Sequence, residues 1–168
     1  SGRNVTLSSF ASTDKLAKTD VTQDTRAVAL ADVNGDGKPD LITAATDPGT
    51  GGGLGGPLLL FLNTGNPLDP FEGATPQTIC RGAGMTSLAV GDVTGDGKPD
   101  LIVGSSINPD LPGTFVFSRL FVNTGAAELP FQYDPFFNPS TNRTYRIGGG
   151  KDLTTSVALA DVNADGKL

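Results

Sequence analysis

The sequence predicts an all-β chain of four-stranded antiparallel, propeller-type blades, about two complete and partial ones at each end, hence an incomplete ring. Three observations predict it. A pattern of about 60 residues occurs twice and begins a third time. Its apolar residues alternate with small ones at the two-residue period of a strand. Gly (23) and Pro (12) interrupt every stretch long enough for a helix and mark frequent tight turns.

The repeat sets the boundaries. AVALADVNGDGKPDLITA at 27–44 aligns with SLAVGDVTGDGKPDLIVG at 87–104, and SVALADVNADGKL at 156–168 opens the pattern again. Asn63 and Asn123 each lie 31 residues after the first aspartate of their unit and eight before a Phe, so register holds without a gap from Ala27 to Phe71 and from Ser87 to Phe131. Asp32 to Asp92 is 60 residues but Asp92 to Asp161 is 69, which puts the nine extra residues between Phe131 and Asp161. The expected units are therefore 1–24, the end of a preceding blade or an N-terminal strand; 25–84, the first blade; 85–153, the second, with a longer connection; and 154–168, the start of a third.

Within a unit, Val28 and Leu30 (then Leu88 and Val90, then Val157 and Leu159) alternate with small residues as a first strand. DLITAAT and DLIVGSS, apolar and partly β-branched, read as the returning arm of a hairpin. Gly/Pro-rich connections, GTGGGLGGP and NPDLPG, lead into a third strand ending LFLNTG or LFVNTG, and TPQTICRG and TYRIGG are the fourth. Four short strands per repeat is the organisation of a propeller blade or a related β array.

Composition removes several function classes. The net charge of −6 leaves no basic face for nucleic acid. No run of eighteen apolar residues offers a membrane span, and SGRNVT at the N-terminus lacks a basic-apolar-small leader, so neither a span nor a signal peptide is expected within this sequence. The chain has no His, which excludes a histidine base, a Ser/His pair or a His-ligated zinc. Its one cysteine, Cys80, cannot form an intrachain disulfide and reads as a small buried residue. No catalytic residues are expected.

The acids concentrate in three loops between the first and second strands: Asp32, Asp36 and Asp40; Asp92, Asp96 and Asp100; Asp161 and Asp165. Counting from the first aspartate, positions 1, 3, 5 and 9 of the first loop are Asp32, Asn34, Asp36 and Asp40, position 6 is Gly37, and position 7 offers the Lys38 carbonyl. Side chains at 1, 3 and 5 of a curled loop point inward, and glycine at 6 lets the chain reverse at positive φ. Such an oxygen-only cage suits Ca²⁺ rather than the smaller, strictly octahedral Mg²⁺ or a transition metal. The second loop supplies Asp92, Thr94, Asp96, the Lys98 carbonyl and Asp100, with a hydroxyl in place of the amide. The third supplies Asp161, Asn163 and Asp165, has Ala164 at position 4, and stops at position 8. Two full sites and an incomplete third are expected. An EF-hand would need an acid at position 12 and a helix after it, whereas Thr43 and Val103 stand there within strand-like residues. A metal-free acidic turn is the plain alternative for one loop, and two copies at corresponding places weigh against it.

DVNGDGKPDL between an alternating strand and an apolar one resembles the FG-GAP and VCBS repeats of integrin α-subunit propellers, fungal propeller lectins and many secreted bacterial proteins; the later NTG and Phe are similar to the asparagine-glycine turn and Phe of VCBS repeats. The resemblance spans most of residues 25–168. It implies a secreted or cell-surface module that binds calcium in these loops, has no enzymatic role, and meets a protein or glycan ligand or serves adhesion. Two alternatives stand beside that reading: an architectural subunit of an extracellular filament, self-associating through blade edges, and an accessory domain of a polysaccharide-active enzyme.

Other motifs carry less. FQYDPFFNP gathers Phe131, Tyr133, Phe136 and Phe137, either a partner surface or packing for the longer connection. Asn4 and Asn142 head N-glycosylation sequons. GTGGGLGGP and GGGKD lack the residues of a phosphate loop.

Overall fold

The computed structural model describes residues 24–46, 56–82, 84–106, 117–132, 144–148 and 153–168. Among the described residues eight strands form two antiparallel sheets in simple meander order. The first sheet contains β1 (Asp24–Ala31), β2 (Asp40–Thr46), β3 (Gly56–Phe61) and β4 (Gln77–Gly82); the second contains β5 (Met85–Gly91), β6 (Asp100–Ser105), β7 (Ser118–Phe121) and β8 (Thr144–Ile147). The sheets follow the two expected blades strand for strand.

Register repeats as the sequence does. Ala31 pairs with Asp40 and Gly91 with Asp100, so each acidic loop closes a hairpin between two ladder partners. A bulge between Thr25 and Ala27 recurs between Met85 and Ser87, giving both first strands an irregularity at one place. Central strands carry the apolar load because neighbours cover both their faces: Ile42, Ala44, Leu58, Leu60, Leu101 and Val103 are buried. The outermost β8 leaves Tyr145, Arg146 and Ile147 exposed.

One apolar cluster joins the sheets. It takes Ile42, Leu58, Leu60 and Ile79 from the first, Met85, Leu101, Val103 and Phe121 from the second, and Phe131 from the connection after β7. The sheets meet at their first strands, β5 lying against β1 and β2. Alternation on these strands is division of labour: Ala27, Ala29 and Ala31 of β1 face the shared cluster, and so do Leu88 and Val90 of β5, small side chains on one sheet meeting large ones on the next. The opposite face of β1 carries Val28 and Leu30, each 63% exposed. The opposite face of β5 is small again, and a Cβ on Gly91 would run into Leu168 and, at 3.1 Å, Leu159.

One expectation changes. Residues 156–160, read as a strand, form no ladder; Val157 and Leu159 lie against the Gly104 and Gly91 face of the second sheet rather than pairing with a strand. The segment is held instead by side chains and one backbone bond: the Thr154 N–H donates to the Ser105 carbonyl (3.3 Å), the Thr86 hydroxyl to the Thr154 carbonyl (2.6 Å), and the Ser118 hydroxyl to the Thr154 hydroxyl (2.9 Å). Of the aromatic run, Phe131 is 1% exposed and lies in the core cluster, in agreement with the packing reading. Tyr133, Phe136, Phe137, Asn4, Asn142, residues 1–23, most of GTGGGLGGP, all of NPDLPG and residues 149–152 of GGGKD lie outside the described residues. Cys80 is buried in the cluster, as expected.

Because Leu58 and Leu101 are wholly enclosed, truncating either to alanine is expected to cost about 2–5 kcal/mol of unfolding free energy in urea titrations, whereas Tyr145→Ala on the outer strand should stay within about 0.5 kcal/mol.

Candidate functional site: the hairpin corners

Each corner has an exposed curl above a buried anchor. In the first curl, Asp32 Oδ1 accepts the N–H groups of Gly35 (2.7 Å) and Asp36 (3.0 Å), and Oδ2 accepts that of Gly37 (2.8 Å). Asn34 Oδ1 accepts the same Asp36 N–H at 3.1 Å, so oxygens from positions 1 and 3 meet at one donor. The second loop repeats the pattern, Asp92 accepting from Gly95, Asp96 and Gly97 at 2.7, 3.1 and 2.7 Å. In the third, Asp161 and Asn163 converge on the Asp165 N–H at 3.2 and 3.3 Å. Curling uses a left-handed backbone at position 4 as well as position 6: Gly35 has φ 78°, and Ala164, its counterpart, takes φ 59° at a steric cost of about 1 kcal/mol.

Position 5 is tied to position 7 by side chain as well as backbone. Lys38 Nζ lies 2.9 Å from Asp36 Oδ2, and Lys98 Nζ 2.7 Å from Asp96 Oδ2. The lysine hydrogen bond, reinforced by the lysine's own N–H, holds both aspartates below the usual carboxylate range. The lysine stem crosses the NTG turn, where a Cβ on Gly65 would sit 3.1 Å from Lys38 Cε, and one on Gly125 2.6 Å from Lys98 Cε. Glycine is required there both for this close approach and for its positive φ of 82° and 77°.

Position 9 is the anchor. Asp40 and Asp100 are fully buried. Asp40 Oδ2 accepts the Val33 N–H (3.0 Å) and Oδ1 that of Asn63 (2.8 Å); Asp100 Oδ2 accepts from Val93 and Thr94 (3.0 Å each) and Oδ1 from Asn123 (2.9 Å). Burial raises the Asp40 pKa above its ordinary value, the Asn63 and Val33 donors oppose the rise, and the Asp36 and Asp32 charges add to it. The asparagines answer in kind. Asn63 Nδ2 donates to the Pro39 carbonyl (2.9 Å) and Asn123 Nδ2 to that of Pro99 (3.0 Å), while each Oδ1 accepts the N–H of the following glycine, Gly65 or Gly125. Asn123 Nδ2 also reaches the Val33 carbonyl of the first sheet at 2.8 Å.

The structure thus gathers the predicted residues at positions 1, 3 and 5 on the curl and sets Asp40 and Asp100 beneath it, on backbone donors. Among the described residues no three acidic, Cys or His side chains stand together as a ready metal site. The donor chemistry nonetheless fits a hard cation: positions 1, 3 and 5 offer only oxygen at an open rim, and ionised carboxylates keep further lone pairs beyond those the N–H groups use. Sequence reasoning read Asn63, Asn123, Gly65 and Gly125 only as an asparagine-glycine turn and missed their tie to the acidic corner. The signal was the constant separation of 23 residues between anchor aspartate and asparagine in both units.

Sheets of this form, each opening on an acidic hairpin corner, define a chain of blade-type repeats. Residues 32–103 match the FG-GAP-like repeat model, which supports the FG-GAP repeat family for this stretch. A stretch of 94 residues is 34% identical to integrin alpha-7 of Homo sapiens, covering 50% of this chain and 7% of that protein. The chain therefore corresponds to a small part of that relative.

Asp100→Asn leaves a backbone N–H facing an amide donor, and is expected to lower unfolding free energy by about 1–3 kcal/mol, read by chemical denaturation. Gly125→Ala should also destabilise, and part of its effect should vanish in a Lys98→Ala background, where the stem no longer blocks the Cβ; a double-mutant cycle measures that part.

Proposed function

We propose that the chain is an extracellular, calcium-stabilised binding module without enzymatic activity. The observation that carries this is the recurrence, in all three loops, of the position-1 carboxylate on the N–H of position 5, joined in the first and third by the position-3 amide oxygen. In the first loop Asp32, Asn34 and Asp36, with the Lys38 carbonyl, would hold the ion, and Asp40 would supply a remaining lone pair or act only from beneath. Asp92, Thr94, Asp96, the Lys98 carbonyl and Asp100 would do so in the second; Asp161, Asn163 and Asp165 form the partial third. Bound calcium supplies fixed positive charge at the rim. Asp36 and Asp96 would exchange their lysine partners for it, and the Asp36 and Asp32 charges that now disfavour ionised Asp40 would be offset. The corners then stiffen, and the connections between strands are free to meet a protein or glycan partner. The FG-GAP-like match and the identity to an integrin α chain support the extracellular, adhesive class of role. The two sequons would carry glycan on a secretory route.

Isothermal titration is expected to give dissociation constants of roughly 10⁻⁴ to 10⁻³ M for Ca²⁺. Saturating calcium should raise unfolding free energy by about 1–2 kcal/mol per occupied site. Combined Asp32→Asn and Asp36→Asn should remove one binding event and leave the other. Absence of heat and of any stability change at calcium well above that range overturns the reading. Screening the calcium-loaded chain on a glycan array, and against extracellular matrix proteins, separates the two classes of partner.

A further inference from the structure

One buried side chain joins the two acidic corners. Asn123, in the turn after β7, is 0% exposed, and both hydrogens of its amide are engaged: one goes to the Pro99 carbonyl of its own corner (3.0 Å), the other to the Val33 carbonyl of the first corner (2.8 Å), 90 residues back in the chain. Its Oδ1 accepts the Gly125 N–H (2.8 Å) and its backbone N–H donates to Asp100 Oδ1 (2.9 Å). Such a residue has little room to move.

Val33 is position 2 of the first corner and is itself buried. Its N–H is held from below by Asp40 Oδ2 (3.0 Å), while its carbonyl, which shares a peptide with the Asn34 N–H, is held from the second unit by Asn123. That peptide lies between Asp32 and Asn34, whose side-chain oxygens meet on the Asp36 N–H. In the second corner the equivalent stretch hangs on Asp100, whose Oδ2 accepts the Val93 and Thr94 N–H groups at 3.0 Å each. A continuous path of hydrogen bonds therefore runs from one rim to the other, through Val33, Asn123 and Asp100.

Resting on the calcium reading above, we infer that Asn123 is a positioning residue for the first corner, and that the two corners take up divalent cations cooperatively through it. An ion at either rim fixes the peptide between positions 2 and 3, and with it Asn123 and Asp100. The next ion then meets a corner whose ordering is already complete, which raises its affinity. Groups behind a metal's ligands commonly set affinity in this way. Direct repulsion between two bound cations has the opposite sign and fades with added salt, so the sign of the coupling tells the two apart.

Calcium titrations followed through the amide signals of Gly35 and Gly37 read the first corner by itself. Asp92→Asn with Asp96→Asn empties the second rim but keeps Asp100 and Asn123, and is expected to weaken first-corner binding about fivefold. The exchange removes as much negative charge as calcium would cancel, so the comparison is not one of net charge. Asn123→Ala in the otherwise unaltered chain should weaken the first corner about tenfold, and adding the rim pair to it should weaken it no further. Thr124→Ala removes bonds to the Leu129 and Pro130 carbonyls that stay within the same turn, and should leave the first corner unchanged. A variant that merely loosened the fold would act alike at either position.

Two further arms keep the outcomes distinct. In calcium-free buffer Asn123→Ala should speed hydrogen exchange at the Gly35 and Gly37 amides, which Asp32 holds, and Thr124→Ala should not. If Asn123→Ala does not fold, the rim pair decides: calcium at its first corner must slow exchange at the Val93 and Thr94 amides. First-corner affinity and exchange that ignore Asn123→Ala overturn the inference and leave the calcium reading intact, as does an emptied second rim that strengthens the first corner or leaves Val93 and Thr94 unprotected. A chain that takes up no calcium overturns the calcium reading and the cooperativity together, and the calcium-free exchange then decides the positioning role.

Discussion

A buried carboxylate at the base of each corner organises the rest. Asp40 and Asp100 stand where two loops and a strand meet, and each gives both oxygens to backbone N–H groups from both sides of the corner. A charge in so dry a place is tolerated only because those donors are fixed by the hairpin ladder on one side and the asparagine turn on the other. The same bonds decide where the acidic loop begins and how tightly it curls. Rim chemistry therefore depends on core chemistry, and the chain cannot hold the exposed oxygens together without first enclosing a charged group.

Much of this was legible in the sequence. The two-residue alternation, the paired Asp/Gly loops and the constant spacing to NTG give eight strands in two meanders and put the acids at the hairpin corners, where the structure has them. What stayed hidden was direction. Alternation announces a strand but not which face is large or what it faces, so the exposure of Val28 and Leu30 beside the partial burial of Leu88 and Val90 is a fact of neighbours rather than of pattern. In the same way an aspartate at position 9 reads as one more oxygen in a series. Only the packing shows it beneath the loop, facing backbone donors. The extended reading of 156–160 fails for a related reason, since a strand is a relation between two segments and one segment's composition cannot guarantee it.

The two complete units differ where physics permits. Thr94 for Asn34 changes an oxygen at the rim without moving the aspartates beside it, because the Asp92 carboxylate alone ties down three backbone donors. Lys38 and Lys98 keep their salt contacts in both, and the glycines that their stems cross are kept with them. At the third corner Ala164 accepts the left-handed backbone that glycine takes elsewhere, so the loop's shape outlasts the residue best suited to it.

The bond from Asn123 to the Val33 carbonyl has a bearing on how such chains arise. It joins a residue late in one unit to a residue early in the unit before, and the other side-chain bonds named above among the described residues are likewise internal to a copy or reach its immediate neighbour. Whole copies can then be duplicated or deleted in the gene while the surviving contacts keep their partners. Inserting part of a copy would strand an amide or a carbonyl, and selection should favour lengthening in steps of one complete unit.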